Sequence, residues 1–494
     1  MWMKFWKDSA GRFPSISYEV NRMIEKIAFS KILKEALKEG GDFADLFFEQ
    51  SYAVSIVCEE GRIEKVISGL DIGVGLRILF DGRTIYSFTN EISEQSLLNL
   101  ARSISRAVKE DGKEDTNPLP HRSCPIHSSP PSSHIHLPIG KHSKGVSIAD
   151  RISMVKRANE MARRLNPHVR QVKVLYRDMV QCVSIVNSVE VCVEGERVGT
   201  VFSVQVVSAK GDVVQTEYEA VGGTMGFELF DLHPPEEVAE AATKRSLLML
   251  SARKVPMGRM AVVLSSEAGG TMIHEAIGHG LEADLVQQGL SVYSKKIGER
   301  VASPLITVVD DPTLPQKRGS YAFDDEGVPS QRTLLVEEGI LKGYLFDRLT
   351  ALKEGVPSTG NGRRESYQHK PIPRMSNTLI LPGKMNPDEI VRSVEKGLLM
   401  KKMGGGQVNT VNGDFIFEVN EGYLIEKGEV CEPVRGATLV GNGPQILKEI
   451  DRVGDDLGFG IGTCGKDGQG VPVSDAQPTL RIPEIVVGGQ QETH

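Results

Sequence analysis

Apolar residues recur at helical spacing from about Met23 to Lys38, at Ile24, Ile27, Ala28, Ile32, Leu33, Ala36 and Leu37. Gly40-Gly41 ends that pattern. A strand-rich block follows to about Asn90, with Asp81-Gly82 as a hairpin turn inside "GLRILFDGRTIYSF". The segment "ISEQSLLNLARSISRAVKE" then predicts a second helix. The same order returns: a helix starting near Ser147, strands from about Val169 to Val221 with Gly211-Asp212 at a turn, and a helix over "PEEVAEAATKRSLLML". Helix–strands–helix, twice, predicts an internal duplication by element order. After about Pro256 glycine becomes frequent, and strand signals such as "RMAVVLSS" and "LITVVDDP" dominate, with one helix near "NPDEIVRSVEKGLL".

These patterns predict an α+β protein of two domains. Residues 23–255 form an N-terminal duplicated helix–strands–helix α/β domain. Residues 256–494 form a β-rich C-terminal domain of antiparallel sheets that carries the catalytic chemistry. Residues 1–22 read as an N-terminal extension. Between the two repeats, a Pro/Ser-rich insertion at 111–146 carries His121, His127, His134, His136 and His142. It reads as a surface loop, although such tracts can also bind metal.

Composition narrows the function. At 494 residues the chain exceeds one ordinary core, and 40% hydrophobic with 25% charged residues is typical of a globular protein. A formal net charge of −7, spread along the chain, gives no basic footprint for nucleic acid. No apolar run reaches the roughly 18 residues of a membrane span. Six scattered cysteines fit a reducing cytoplasm better than a disulfide framework.

The candidate chemistry starts at "GTMIHEAIGHGLEAD", which holds His274, Glu275 and His279 as His-Glu-x-x-x-His. The familiar zinc-peptidase motif has one residue fewer. On a regular helix, residues four apart lie about 40° apart and residues five apart about 140° apart. His274 and His279 therefore meet one metal only if the turn is widened, as in a π-bulge, or the helix ends or kinks before His279. Gly278 and Gly280 bracket His279 and permit either distortion. Imidazoles suit Zn²⁺, and Glu275 stands where a general base for an activated water belongs. For a third ligand, Glu282 and Cys464 are both open. Glu282 lies one turn after His279 and could instead hold an imidazole N–H from behind. Cys464 would be a thiolate ligand, its ionised form favoured by Lys466, or a nucleophile with a histidine base. Gly460, Gly462 and Gly465 spell G-x-G-x-x-G around it, but Asp467 replaces the P-loop hydroxyl and no helix can follow, so both nucleotide readings fail.

Together "HEAIGHGLEAD", "FDDEG", "RMSNTLILPG", "GDFIFEVNEGYLI", "PVRGATLVGNGP" and "GTCGKDGQGVPV" resemble the TldD/PmbA family of metallopeptidases through most of Met23 to Val487. The likeness is to the TldD kind of subunit, which bears the metal, rather than the PmbA (TldE) kind. It implies Zn²⁺ held by His274, His279 and Cys464, with Glu275 as general base. It also implies a PmbA/TldE-like partner in a heterodimer, and extended or unfolded peptides, leader segments among them, as substrates held by main-chain pairing. The extension and the insertion depart from the family pattern. Two rival expectations stand beside this one: a non-catalytic peptide-binding subunit with a structural metal, and a cysteine hydrolase using Cys464. Lys466, Tyr321 and His369 are candidate oxyanion stabilisers.

Overall fold

The computed structural model describes residues 27–111 and 137–489. The 1–22 extension, Cys124 and four of the insertion's histidines (His121, His127, His134 and His136) lie outside them. Six strands form the first sheet: β1 (Phe43–Glu59), β2 (Arg62–Phe80), β3 (Arg83–Thr89), β4 (Val169–Asn187), β5 (Cys192–Lys210) and β6 (Val213–Gly223). Their order is β3-β2-β1-β4-β5-β6, so the two three-stranded repeats join through antiparallel β1 and β4. Each repeat brings two helices to the same face: α1 (Phe29–Ala36) and α2 (Glu94–Asp111), then α3 (Ile148–Leu165) and α4 (Pro235–Ser251). One core joins α1 and α2 to Leu46, Phe48, Leu76 and Ile78, and another joins α3 and α4 to Ile56, Val174, Phe202 and Val204.

The local signals behind this order are visible. Asp81 and Gly82 have φ of 47° and 69°, the left-handed pair of a tight hairpin. Ser147 caps α3, its hydroxyl accepting from the Asp150 N–H. The helix in "NPDEIVRSVEKGLL" is shorter than its pattern suggests. It stops at Arg392, and Lys396 already opens the strand Lys396–Val408.

The rest of the described residues form two larger sheets, besides a two-stranded pair of Gly362–Arg363 with Ile372–Pro373. In one, β7 (Gly258–Leu264) lies between β12 (Lys396–Val408) and β18 (Leu480–Gly488), and β15 (Ala437–Asn442) joins β18 to β13 (Asp414–Glu426). Pairing of β12 with β13 closes these five strands into a ring. The other sheet runs β10-β9-β8-β11-β17-β16. These strands are Ile340–Leu341, Thr333–Glu337, Val308–Asp310, Asn377–Ile380, Gln469–Gln477 and Gly458–Lys466. β16 is its edge. Pairing is antiparallel except between β11 and β17, between β7 and β12, and between β14 (Glu429–Arg435) and one short strand at Arg253–Lys254.

The motif "FDDEG" joins the two halves. Arg77 of β2, fully buried, binds Asp45 of β1 and donates from Nη1 to Glu326 Oε1 at 2.6 Å. Arg197 pairs with Asp325 at 2.5 Å, and Phe323 packs against Phe47, Ile185 and Val193 on the sheet face away from the helices.

Candidate metal centre

His274–Gly278 is a π-helical turn, entered from a short helical turn at Thr271–Ile273 and followed by a 3-10 turn at His279–Leu281. The His279 N–H donates to the His274 carbonyl, five residues back. The widened turn therefore exists, and it brings the two imidazoles face to edge at 5.0 Å between ring centres. The bracketing glycines act differently from the sequence expectation. Gly278 has φ of −55°, open to any residue, but a Cβ there would meet the Met375 sulfur at 2.1 Å. A Cβ on Gly280 would meet the Tyr293 ring at 2.7 Å. Both glycines serve close packing rather than backbone freedom.

Cys464 reaches the histidines from β16, so "GTCGKDG" is strand and hairpin, not the tight loop its glycines suggest. Its Sγ lies 3.4 Å from His279 Nε2. One donor atom from each of His274, His279 and Cys464 lies within 4.8 Å of the others. Glu282 is not part of this triangle. Its Oε2 accepts from His279 Nδ1 at 3.0 Å, which directs the lone pair of Nε2 toward Cys464. Glu282 is fully buried, and Lys466 at 3.1 Å and Arg374 at 3.9 Å hold it. Burial alone would raise its carboxyl, but Lys466, His279 and Arg374 outweigh that and lower it to about 2.

Burial likewise opposes ionisation of Cys464, yet hydrogen bonds and charge from His274 and His279 bring its thiol down to about 5. Lys466 does not supply this effect, because its ammonium is taken by Glu282 and by Asp284 at 2.7 Å. Glu275 is half-buried, and burial raises its carboxyl against the pull of the two histidines. The donor set fits a thiophilic, imidazole-binding cation such as zinc. His274 Nδ1 is buried without a hydrogen-bond partner, which such a buried nitrogen rarely tolerates. Three electron-pair donors aimed at one another also need an electrophile between them.

His274, Glu275, His279 and Cys464 line one open cavity of about 660 Å³. Gly405 to Val408 of β12 and Ile461 to Thr463 of β16 line it, and so does Asp475. Of the three candidate oxyanion stabilisers, only Lys466 reaches this cavity. The Tyr321 hydroxyl donates to the Gly360 carbonyl, and His369 pairs with Ser366. Sequence reasoning missed Asp475, whose carboxylate accepts from the Gly270 N–H at 3.0 Å. Its signal was only a lone acidic residue in an apolar strand.

Family models for the PmbA/TldA metallopeptidase match in chain order: domain 1 at residues 44–110, the central domain at 141–250 and the C-terminal domain at 257–489. The "Metalloprotease TldD homolog" of Haemophilus influenzae is 37% identical over 460 residues, spanning 91% of this chain and 93% of that one. The chain belongs to the PmbA/TldD metallopeptidase family. A relative from Saccharolobus solfataricus named "Zinc metalloprotease TldD homolog" is 28% identical across 93% of this chain and 99% of its own. The crystal structure of TldE from Thermococcus kodakarensis shares the fold, with a TM-score of 0.72 at 18% identity over 94% of this chain and all of that one. Among the described residues no helix is long and apolar enough to cross a membrane.

Proposed function

We propose that this protein is a zinc-dependent peptidase acting on unfolded or extended peptides, leader segments among them, in a reducing cytoplasm. The observation that carries this reading is the convergence of His274, His279 and Cys464 beside Glu275 in one open cavity. The three would hold zinc, which when bound polarises a carbonyl and lowers the pKa of a water. Glu282 fixes the tautomer and aim of His279. Glu275 takes the proton of the attacking water and passes it to the leaving amine. The peptide backbone is held by the unpaired edge of β16 through main-chain pairing. A TldE-like chain as heterodimer partner accords with the shared fold of the Thermococcus TldE.

The contact of Cys464 with His279 favours one rival, a cysteine hydrolase. Loss of activity with a chelator and recovery with added zinc would exclude it. The main test is metal content per chain by elemental mass spectrometry. Near one zinc is expected in the wild type, little in Cys464→Ala, and full content in Glu275→Gln with hydrolysis lowered about 10²–10⁴-fold. A wild type without metal after reconstitution would sink the peptidase reading in favour of a peptide-binding subunit. Undiminished hydrolysis in Glu275→Gln, with zinc retained, would leave the metal a structural role.

A further inference from the structure

The free edge of β16 has two distinct faces. The Ser474 N–H donates to the Ser376 carbonyl beside β11, so Ser474 turns its polar groups away from β16. Its antiparallel partner Ile461 therefore points its own N–H and C=O outward, and Thr463, two residues on, does the same. Side chains alternate along the strand. Cys464 looks to the metal-side face, whereas Ile461 and Thr463 look to the opposite face. That opposite face turns toward the first sheet, since the Ile461 side chain lies 3.2 Å from where a Cβ on Gly222 would stand.

Cations gather on that face. Arg318 donates from Nε to the Gly462 carbonyl at 3.0 Å and from Nη2 to Thr463 Oγ1 at 3.3 Å. Both acceptors are neutral. Lys317 stands 3.8 Å from the centre of the Phe459 ring, on the same face. Arg177 projects from β4 close enough to repel Arg318, and Arg363 repels it as well. Among the described residues none of Arg177, Lys317 and Arg318 has a carboxylate in ion-pair contact. Burial with no counter-charge brings the Arg318 guanidinium down to about 10 and lowers the Lys317 ammonium. In a chain of net charge −7, a half-exposed cationic cluster without a counter-charge in ion-pair contact stands beside the groove, where an incoming anion can reach it.

We propose that Arg318, supported by Arg177 and Lys317, binds a carboxylate on the peptide and so makes the enzyme selective for acidic substrates. This rests on the peptidase reading. A peptide strand paired with β16 places the residue opposite Thr463 on the Arg318 face, because cross-strand neighbours share a face. That residue lies next to the one opposite Cys464, hence beside the reacting bond. The carboxylate comes from an Asp or Glu side chain or from the end of the peptide. Arg318 keeps its Nη1 donors for a charge-assisted pair.

The test measures binding of fluorescein-labelled octapeptides to zinc-reconstituted Glu275→Gln protein by anisotropy, beside kcat/KM of the wild type on the same peptides. A single Glu, Gln or Lys is walked through each position, with the C-terminus as acid or amide. At one position Glu should bind roughly 10–100-fold tighter than Gln, with Lys weakest. The ratio should fall to near one in Arg318→Gln, persist in part in Arg318→Lys, and shrink with salt. A preference that follows the C-terminal acid instead assigns the carboxylate to the chain end. If Arg318→Gln does not fold, the exposed Arg177→Glu carries the test and should cut the ratio several-fold. Equal Glu and Gln affinities at every position, a ratio indifferent to both variants, or no binding at all overturns the inference. Selective binding without hydrolysis of any peptide removes the peptidase reading and leaves the carboxylate site standing.

Discussion

The protein buries two clusters of charge, and they are built to opposite ends. At the junction of the halves, Arg77, Arg197 and Arg364 meet Asp45, Asp325 and Glu326, and each cation finds its anion within the chain. The backbone assists: the Arg348 N–H donates to Glu326 Oε2 at 2.6 Å and the Arg364 N–H to Asp325 Oδ2 at 2.7 Å. At the candidate metal centre the charged groups Glu282, Lys466, Asp284 and Arg374 stand behind the donors, and the donors themselves face one another. The first cluster pairs its cations with anions of the same chain and acts as a lock. The second is complete only behind its donor triangle, so its order serves something that arrives from outside.

The sharpest way to break that contrast is to open the lock. Glu326→Gln leaves the Arg77 guanidinium buried with one of its two anions gone, and removing one partner of such a group costs about 3–5 kcal/mol. A fall of that size in denaturant-derived stability is expected, with zinc bound per folded chain unchanged. A fall in zinc content instead would mean that the junction shapes the metal centre, and the two clusters would be one system.

A smaller effect is expected behind the proposed metal ligands. Glu282→Gln retains volume and removes the charge that orients His279. Zinc affinity, read by competition with a chromophoric chelator, should weaken about 10–100-fold. Unaltered affinity would show that packing, not Glu282, holds the imidazole.

The legibility of these regions in the sequence follows the same division. Signals confined to a few neighbours were readable. These include the Asp81-Gly82 hairpin, the Ser147 cap, the repeat of helix–strands–helix, and the five-residue spacing that demands a widened turn. What depended on distant segments was not. The glycines beside His279 answer to Met375 and Tyr293, which no local pattern reveals. Residues Gly458–Lys466 look like a loop because glycine is poor in strands, yet pairing with β17 holds them extended. The junction carboxylates of "FDDEG" were recognisable as a motif, but Arg77 and Arg197, whose guanidinium groups pair with them, lie more than a hundred residues away. The ring closed by β12 and β13 had no local signature at all.

The finest test of the contrast lies in neighbouring carboxylates on β6. Glu219 is half-buried, but Lys402 and Arg245, each at 2.9 Å, outweigh the cost and lower its carboxyl. Glu217, two residues earlier, has no such partner. Its Oε2 is buried without a hydrogen bond, because Arg245 is already engaged by Glu219 and Glu421. Burial, reinforced by Glu421, pushes its carboxyl up to about 7 against the pull of Arg245 and Lys402. A carboxyl raised on folding binds more protons in the folded state, so stability falls as pH rises from the unfolded value near 4.5 through 7. Glu217→Gln should remove that slope and make the protein about 1–3 kcal/mol more stable than the wild type at pH 8, with little difference at pH 4. Parallel stability–pH curves for the two proteins would mean that Glu217 finds a counter-charge in solution. The third carboxylate around Arg245 would then be as well neutralised as the ones at the junction.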